Sequence, residues 1–158
     1  MSLVLRHSSM RPFKLDRHRV YNLPHYYAQK PSGLWLSVDW QWYSFCQAAE
    51  FRLPCFRHNY RVRINWDRIL CLRTEDDANL FIKNYEREVQ PCRAVTVFID
   101  WPKLMQDYDG IYYNCEIGNL DVFSYWDVSS VCVWNMEAVA DVLDCEPPED
   151  SKEEENET

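Results

Sequence analysis

KPSGLWLSVDWQWYSF, residues 30–45, sets a lone glycine before a short apolar run and then crowds four further large aromatics behind it. Gly33 to Val38 reads as a strand. Asp39 follows as a helix cap, and a helix over Trp40 to about Phe51 brings Trp42, Phe45 and Ala49 onto one face. A chain with only three glycines has placed one directly before a tryptophan strand. Two readings stay open: a turn that enters a core strand, or the wall of a cleft on which a flat ligand stacks.

The chain has 158 residues, 47% hydrophobic and 15% aromatic, enough for one substantial core and too few for two ordinary domains. One globular unit is expected over residues 1–145. Residues 146–158, EPPEDSKEEENET, hold seven acids and one lysine with no apolar run, so a disordered acidic tail is expected there. No stretch approaches the roughly 18 consecutive apolar residues of a membrane span, and the opening MSLVLRHSSMRPF has an apolar run too short for a signal peptide. The seven cysteines form no CxxC pair and no zinc quartet, which fits buried free thiols in a reducing cytoplasm or nucleus.

The net charge of −8 is unevenly spread. The tail carries −6; residues 1–73 hold twelve bases and four acids, a balance of +8, while residues 74–145 hold four bases and fourteen acids, a balance of −10. That split suits an anion-binding surface built from the first half, or an ordinary solvated surface.

Further along the chain, Leu3 to Ser8 reads as a strand, and residues 10–32 as a long irregular connection of the kind that is usually functional or mobile. Tyr60 to Ile64 alternates apolar residues with arginine, and Ile69 to Leu72 makes another strand. Thr74 and Asp77 form a capping box that opens a helix to about Glu88, with Leu80, Phe81 and Tyr85 inward. Ala94 to Ile99 reads as a strand, Asp100 caps a helix over WPKLMQDY, and DGIYYN is a turn leading into a strand. LDVFSYW and VSSVCVW read as strands, and Met136 to Leu143 as a last helix. About seven strands and four helices without regular alternation predict an α+β fold with a mainly antiparallel split sheet.

An N-terminal strand ending RHSS at 6–9, a long loop, GLWLS at 33–37 and a helix resemble the ADP-ribosyltransferase superfamily, in the branch marked by histidine, tyrosine and glutamate. IDWPKLMQDYDGIYY looks like the segment before the third of these positions. The resemblance implies an intracellular protein that binds NAD as substrate and transfers ADP-ribose to a macromolecular acceptor. It also implies roles: His7 on the adenosine ribose, the Ser8 main chain with Ser9 beside it on the nicotinamide amide, Gly33 as the turn, Trp35 stacked on the nicotinamide and Ser37 near the carboxamide. The expected glutamate position is Tyr112, a neutral phenol that cannot supply a carboxylate's electrostatic stabilisation. Glu116 is the nearest substitute. An inactive interaction module that grips a partner protein is the alternative, and nucleic-acid binding through Arg57, Arg61, Arg63 and Arg68 with Tyr60 and Trp66 is a third reading.

Overall fold

The computed structural model describes residues 2–24, 28–88, 97–118 and 120–149. Its elements run β1 Leu5–Ser9, β2 Leu34–Val38, α1 Gln41–Ala49, β3 His58–Ile64, β4 Ile69–Leu72, α2 Glu75–Tyr85, β5 Glu86–Glu88, β6 Val97–Ile99, α3 Trp101–Asp107, β7 Gly110–Tyr113, β8 Ser130–Val133 and β9 Val139–Asp144. The fold is α+β. Seven strands form one sheet in the order β4-β7-β8-β2-β1-β3-β9, antiparallel throughout except for the parallel β4–β7 pair, and β5 and β6 form a separate two-stranded sheet.

Both faces of the sheet are covered, as alternating side chains require. Leu5, Leu36, Val62, Val131 and Val139 share one face, closed over by Phe13, Leu15 and Tyr21 from the long connection. That connection therefore works as a core strap; Arg17 Nη1 and Nη2 donate to the Val139 and Ala140 carbonyls at 2.7 and 3.3 Å and fasten it to β9. The other face packs Ile111, Tyr113 and Cys132 against Phe81, Trp101, Leu104, Phe123 and Trp126.

Local chemistry explains which elements form as expected. Thr74 and Asp77 make the reciprocal capping box of α2, and the Asp100 carboxylate accepts from the Lys103 amide to start α3. Elsewhere tertiary contacts override the sequence pattern. Asp39 does not cap α1: it takes a left-handed φ of 48° and donates its amide to the Val4 carbonyl at 2.7 Å, leaving Trp40 at the cap without a side-chain bond. In α1 the buried residue is Cys46, and in α2 Leu80 is 60% exposed, because the inward stripe there is Ala78, Phe81 and Tyr85.

The stretch LDVFSYW contains a 3-10 turn, Asp121–Phe123, because a three-residue spacing sends Phe123 and Trp126 into the same aromatic cluster. The expected helix over 136–143 is instead a 3-10 turn at Met136–Ala138 followed by β9, whose backbone pairs with the open side of β3 from Tyr60 to Ile64. Ladder bonds and the β-branched Val139 and Val142 outweigh helix-favouring alanine and methionine. The described residues thus hold three α-helices rather than four. Residues 94–96 of the expected strand and 150–158 of the expected tail lie outside the described residues.

Gly33 has a close-approach reason for being glycine. A Cβ there would sit 2.6 Å from the Val133 carbonyl oxygen and 2.7 Å from Cys132 Sγ. Its φ is not left-handed. The residue lets β2 start tight against β8, not the chain turn sharply.

Candidate functional site

A cleft of about 760 Å³ opens on the face of the sheet that Trp35 shares with the aromatic cluster. Strand register builds its floor. Arg6 pairs across β1–β2 with Ser37, and that ladder ends there, with only Leu5–Val38 before it. Beyond Arg6 the two strands are no longer paired, while β1–β3 continues to Ser9–His58 and β2–β8 runs from Leu34–Val133 to Ser37–Ser130. Arg6, Ser8, Trp35, Ser37 and Ser130 all line the cleft. Its walls come from three segments remote in sequence: residues 28–30, Trp42 near the start of α1 with Phe51 and Arg52 beyond the helix, and Tyr125 to Val128.

Aromatic contacts fix these walls. Trp126 meets Trp35 edge-on at 4.8 Å and is held by Trp101, Tyr113 and Phe123 at 6.5, 5.6 and 5.3 Å. The Trp101 indole donates to the Ala28 carbonyl at 2.9 Å, which anchors the segment carrying Lys30. Lys30 Nζ then lies 5.2 Å from the centre of the Trp35 ring, a cation–π arrangement. Across the floor, the Arg6 guanidinium lies 4.6 Å from the centre of the Trp40 ring.

The electrostatics favour an anion. Burial lowers the Lys30 pKa; Asp127 opposes that shift and the like charge of Arg52 adds to it. Three cations, Arg6, Lys30 and Arg52, line the cleft against one carboxylate, Asp127. Among the described residues, three buried side-chain polar atoms have no hydrogen-bond partner: Arg6 Nε, Trp126 Nε1 and Asp141 Oδ1. The first two are donors on residues that line this cleft. A buried donor without an acceptor is costly and calls for a partner, such as a water, an ion or a ligand.

Of the residues singled out in the sequence, His7, Ser8, Trp35 and Ser37 lie around this cleft. The His7 ring itself faces the opposite side of the sheet: it packs edge-on to Phe13 at 4.9 Å and near Tyr60 at 6.4 Å, with Nδ1 donating to the Trp35 carbonyl at 2.9 Å. Where the β1–β2 ladder stops, this imidazole bridges the two strands and sets the height of Trp35. Burial pushes its pKa down, so it is neutral. Ser8 Oγ donates to Asn59 Oδ1 at 2.7 Å, and Asn59 is anchored in turn to the Phe56 carbonyl. Ser9 Oγ turns to the Arg11 carbonyl, and neither Ser9 nor Gly33 lines the cleft.

Tyr112 and Glu116 lie away from it. Tyr112 is buried on the opposite face, edge-on to Trp66 at 5.9 Å, and Glu116 is exposed on a 3-10 turn, Cys115–Ile117. The residues that sequence reading missed are Arg6, Lys30, Arg52 and Asp127. The one legible signal was Asp127 directly after the aromatic pair Tyr125–Trp126, a carboxylate carried on a buried ring. Of the set named for nucleic acid, Arg61 and Arg63 are exposed on one face of β3, Arg63 is paired with Asp141, Arg68 bonds Asp109 and the Asp107 carbonyl, and Tyr60 is buried.

No helix among the described residues is long and apolar enough to cross a membrane, and no group of three or more metal-ligating side chains occurs among them. Comparison of the chain with models of protein families, with curated proteins and with solved structures finds no match.

Proposed function

We propose that the cleft binds NAD and that the chain is an ADP-ribosyltransferase-like protein which cleaves the nicotinamide–ribose bond and passes ADP-ribose to a macromolecular acceptor. The observation that carries the reading is the coincidence, in one cleft, of an aromatic floor, three cations and two unpartnered buried donors. The volume falls within the range of small-molecule sites, roughly 300–1,000 Å³. The Lys30 ammonium over Trp35 marks a ring face that accepts a cation, and the nicotinamide of NAD is a cationic ring. On binding, Lys30 exchanges that position for the dinucleotide's phosphates, with Arg6 and Arg52 as companions.

In the reaction, the bond from ribose C1′ to the pyridinium nitrogen breaks and both its electrons leave with nicotinamide. The acceptor's nucleophile bonds to C1′ and gives up its proton. Positive charge develops on the ribose in between, and a nearby carboxylate stabilises it. Asp127 is the carboxylate available in the cleft, so the duty expected of Glu116 passes to it in this reading. Nicotinamide release from NAD by the wild type, Asp127→Asn and Glu116→Gln tests this. Loss in Asp127→Asn with NAD affinity retained is expected, since the missing interaction acts in the transition state. Activity unchanged by Asp127→Asn overturns the assignment.

The second reading is an inactive interaction module on the same scaffold, with a partner protein gripped at the cleft. The observation in its favour is that Tyr112 and Glu116, at and beside the expected glutamate position, both lie off the cleft. NAD binding without nicotinamide release would select it.

A further inference from the structure

α1 and the turn after it carry an aromatic surface at the rim of the cleft. Trp42 and Phe45 stack at 5.5 Å with their planes 13° apart, and Phe51 meets Trp42 edge-on at 6.4 Å. Phe45 and Phe51 are 37% and 43% exposed, and Leu53 beside them is 41% exposed. Exposed apolar side chains gathered together, rather than scattered singly, point to an interaction surface.

The turn that ends α1 presents it. Glu50 and Arg52, neither of them glycine, hold left-handed φ angles of 51° and 52° on either side of Phe51. A residue with a Cβ rarely adopts this region. Amide bonds from Phe51 to the Cys46 carbonyl and from Cys55 to the Arg52 carbonyl, both 2.9 Å, lock the turn. Its result is a phenyl ring turned outward with the Arg52 guanidinium 5.0 Å from the ring centre.

Charge follows the same line. From Trp40 to Arg63 the sequence holds four arginines and one acid, and only Arg63 of the four is ion-paired among the described residues. Arg61 lies cross-strand from Arg6, on the face of the sheet that holds the cleft.

We propose that this surface binds single-stranded nucleic acid, with bases stacked on Trp42, Phe45 and Phe51 and phosphates held by Arg52 and Arg61. Flat aromatic faces beside guanidinium groups suit unpaired bases, whose rings are exposed, whereas a duplex keeps its rings stacked inside. A protein partner would anchor on the same aromatic and arginine side chains, but the parallel Trp42 and Phe45 planes beside guanidinium groups match the stacked bases and phosphates of a single strand more closely. Trp42, Phe51 and Arg52 also line the cleft, so a strand on this rim runs past its mouth. The inference does not rest on NAD binding: Phe45 and Arg61 lie outside the cleft, and the test is made without NAD.

The test is fluorescence anisotropy of the full chain with a labelled oligothymidylate of about twelve nucleotides, without NAD, at about 50 and 200 mM salt. Binding to the single strand at least roughly tenfold tighter than to a duplex of the same length is expected. Phe45→Ala with Phe51→Ala should weaken it roughly tenfold or more. Arg52→Ala with Arg61→Ala should lower the salt slope by roughly 1.4, about 0.7 for each phosphate that is no longer neutralised. Should the alanine pair lower the thermal midpoint, Phe45→Leu with Phe51→Leu keeps the apolar bulk and should show the same weakening. No binding at low salt overturns the proposal. So do equal affinity for duplex and single strand, affinity indifferent to the aromatic substitutions, or displacement by polyglutamate as effective as by oligonucleotide.

Discussion

Gly33→Ala is the substitution that most directly probes how β2 is set in the sheet. The added methyl would lie 2.6 Å from the Val133 carbonyl oxygen, 2.7 Å from Cys132 Sγ and 3.0 Å from the Val133 carbonyl carbon. Ordinary contact begins at 3.4 Å, so the nearest approach is 0.8 Å too close. Two of the three atoms are backbone, and β8 is laddered to β2 on one side and β7 on the other, so it cannot retreat. Gly110 presses on the same stretch from the β7 side, where its Cβ would meet the Cys132 carbonyl oxygen at 2.6 Å. Overpacking of this kind costs about 1–3 kcal/mol, and a clash with pinned backbone belongs at the upper end. At about 2–4 °C per kcal/mol for a chain of this size, the thermal midpoint should fall by about 5–10 °C, read by circular dichroism. Gly118→Ala is the contrast: its φ of 110° strains an alanine, but nothing lies within 4 Å to clash. A Gly33→Ala midpoint within about 2 °C of wild type would refute the close β2–β8 approach.

Acidification should expose His7. Its folded pKa is lowered by burial, so the unfolded chain takes up a proton that the folded one refuses; stability holds above about pH 6.5 and falls as pH drops below it. Midpoints measured from pH 7.5 to 5 should decline in wild type and flatten in His7→Asn. Asp77 and Asp141, whose pKa values are lowered, stabilise above about pH 4 and lose their contribution only below it, outside that window. Thr74→Ala removes one half of the α2 capping box and should cost about 1 kcal/mol in denaturant melts, with NAD binding unchanged because α2 does not reach the cleft.

What could be read from the sequence was what short-range chemistry decides. The Thr74–Asp77 box, the Asp100 cap with Pro102 behind it, and the alternation from Tyr60 to Ile64 each carry their own signal, and each appears where expected. MEAVADVL did not, because its strand form depends on an open ladder on β3, more than seventy residues earlier in the chain. Residues 10–24 were legible as a loop, but not as the strap that puts Phe13 and Tyr21 over the core. The cleft was half legible. Trp35 and Ser37 share a strand face by simple alternation, whereas Lys30, Arg52 and Asp127 meet only because Trp101 anchors Ala28 and Trp126 anchors the loop before β8. His7 shows the limit of motif reading, since the same residue at the strand end can face a ligand or bridge two strands, and here its ring bridges.

Isothermal titration of NAD into the wild type, Trp35→Ala and Lys30→Ala tests the reading of the cleft most directly. The account predicts saturable heat from the wild type and binding roughly tenfold or more weaker in each variant, with Trp35→Ala also losing its preference for NAD over ADP-ribose because the cationic ring has lost its platform. No heat at millimolar NAD, or equal heats from all three proteins, would contradict it.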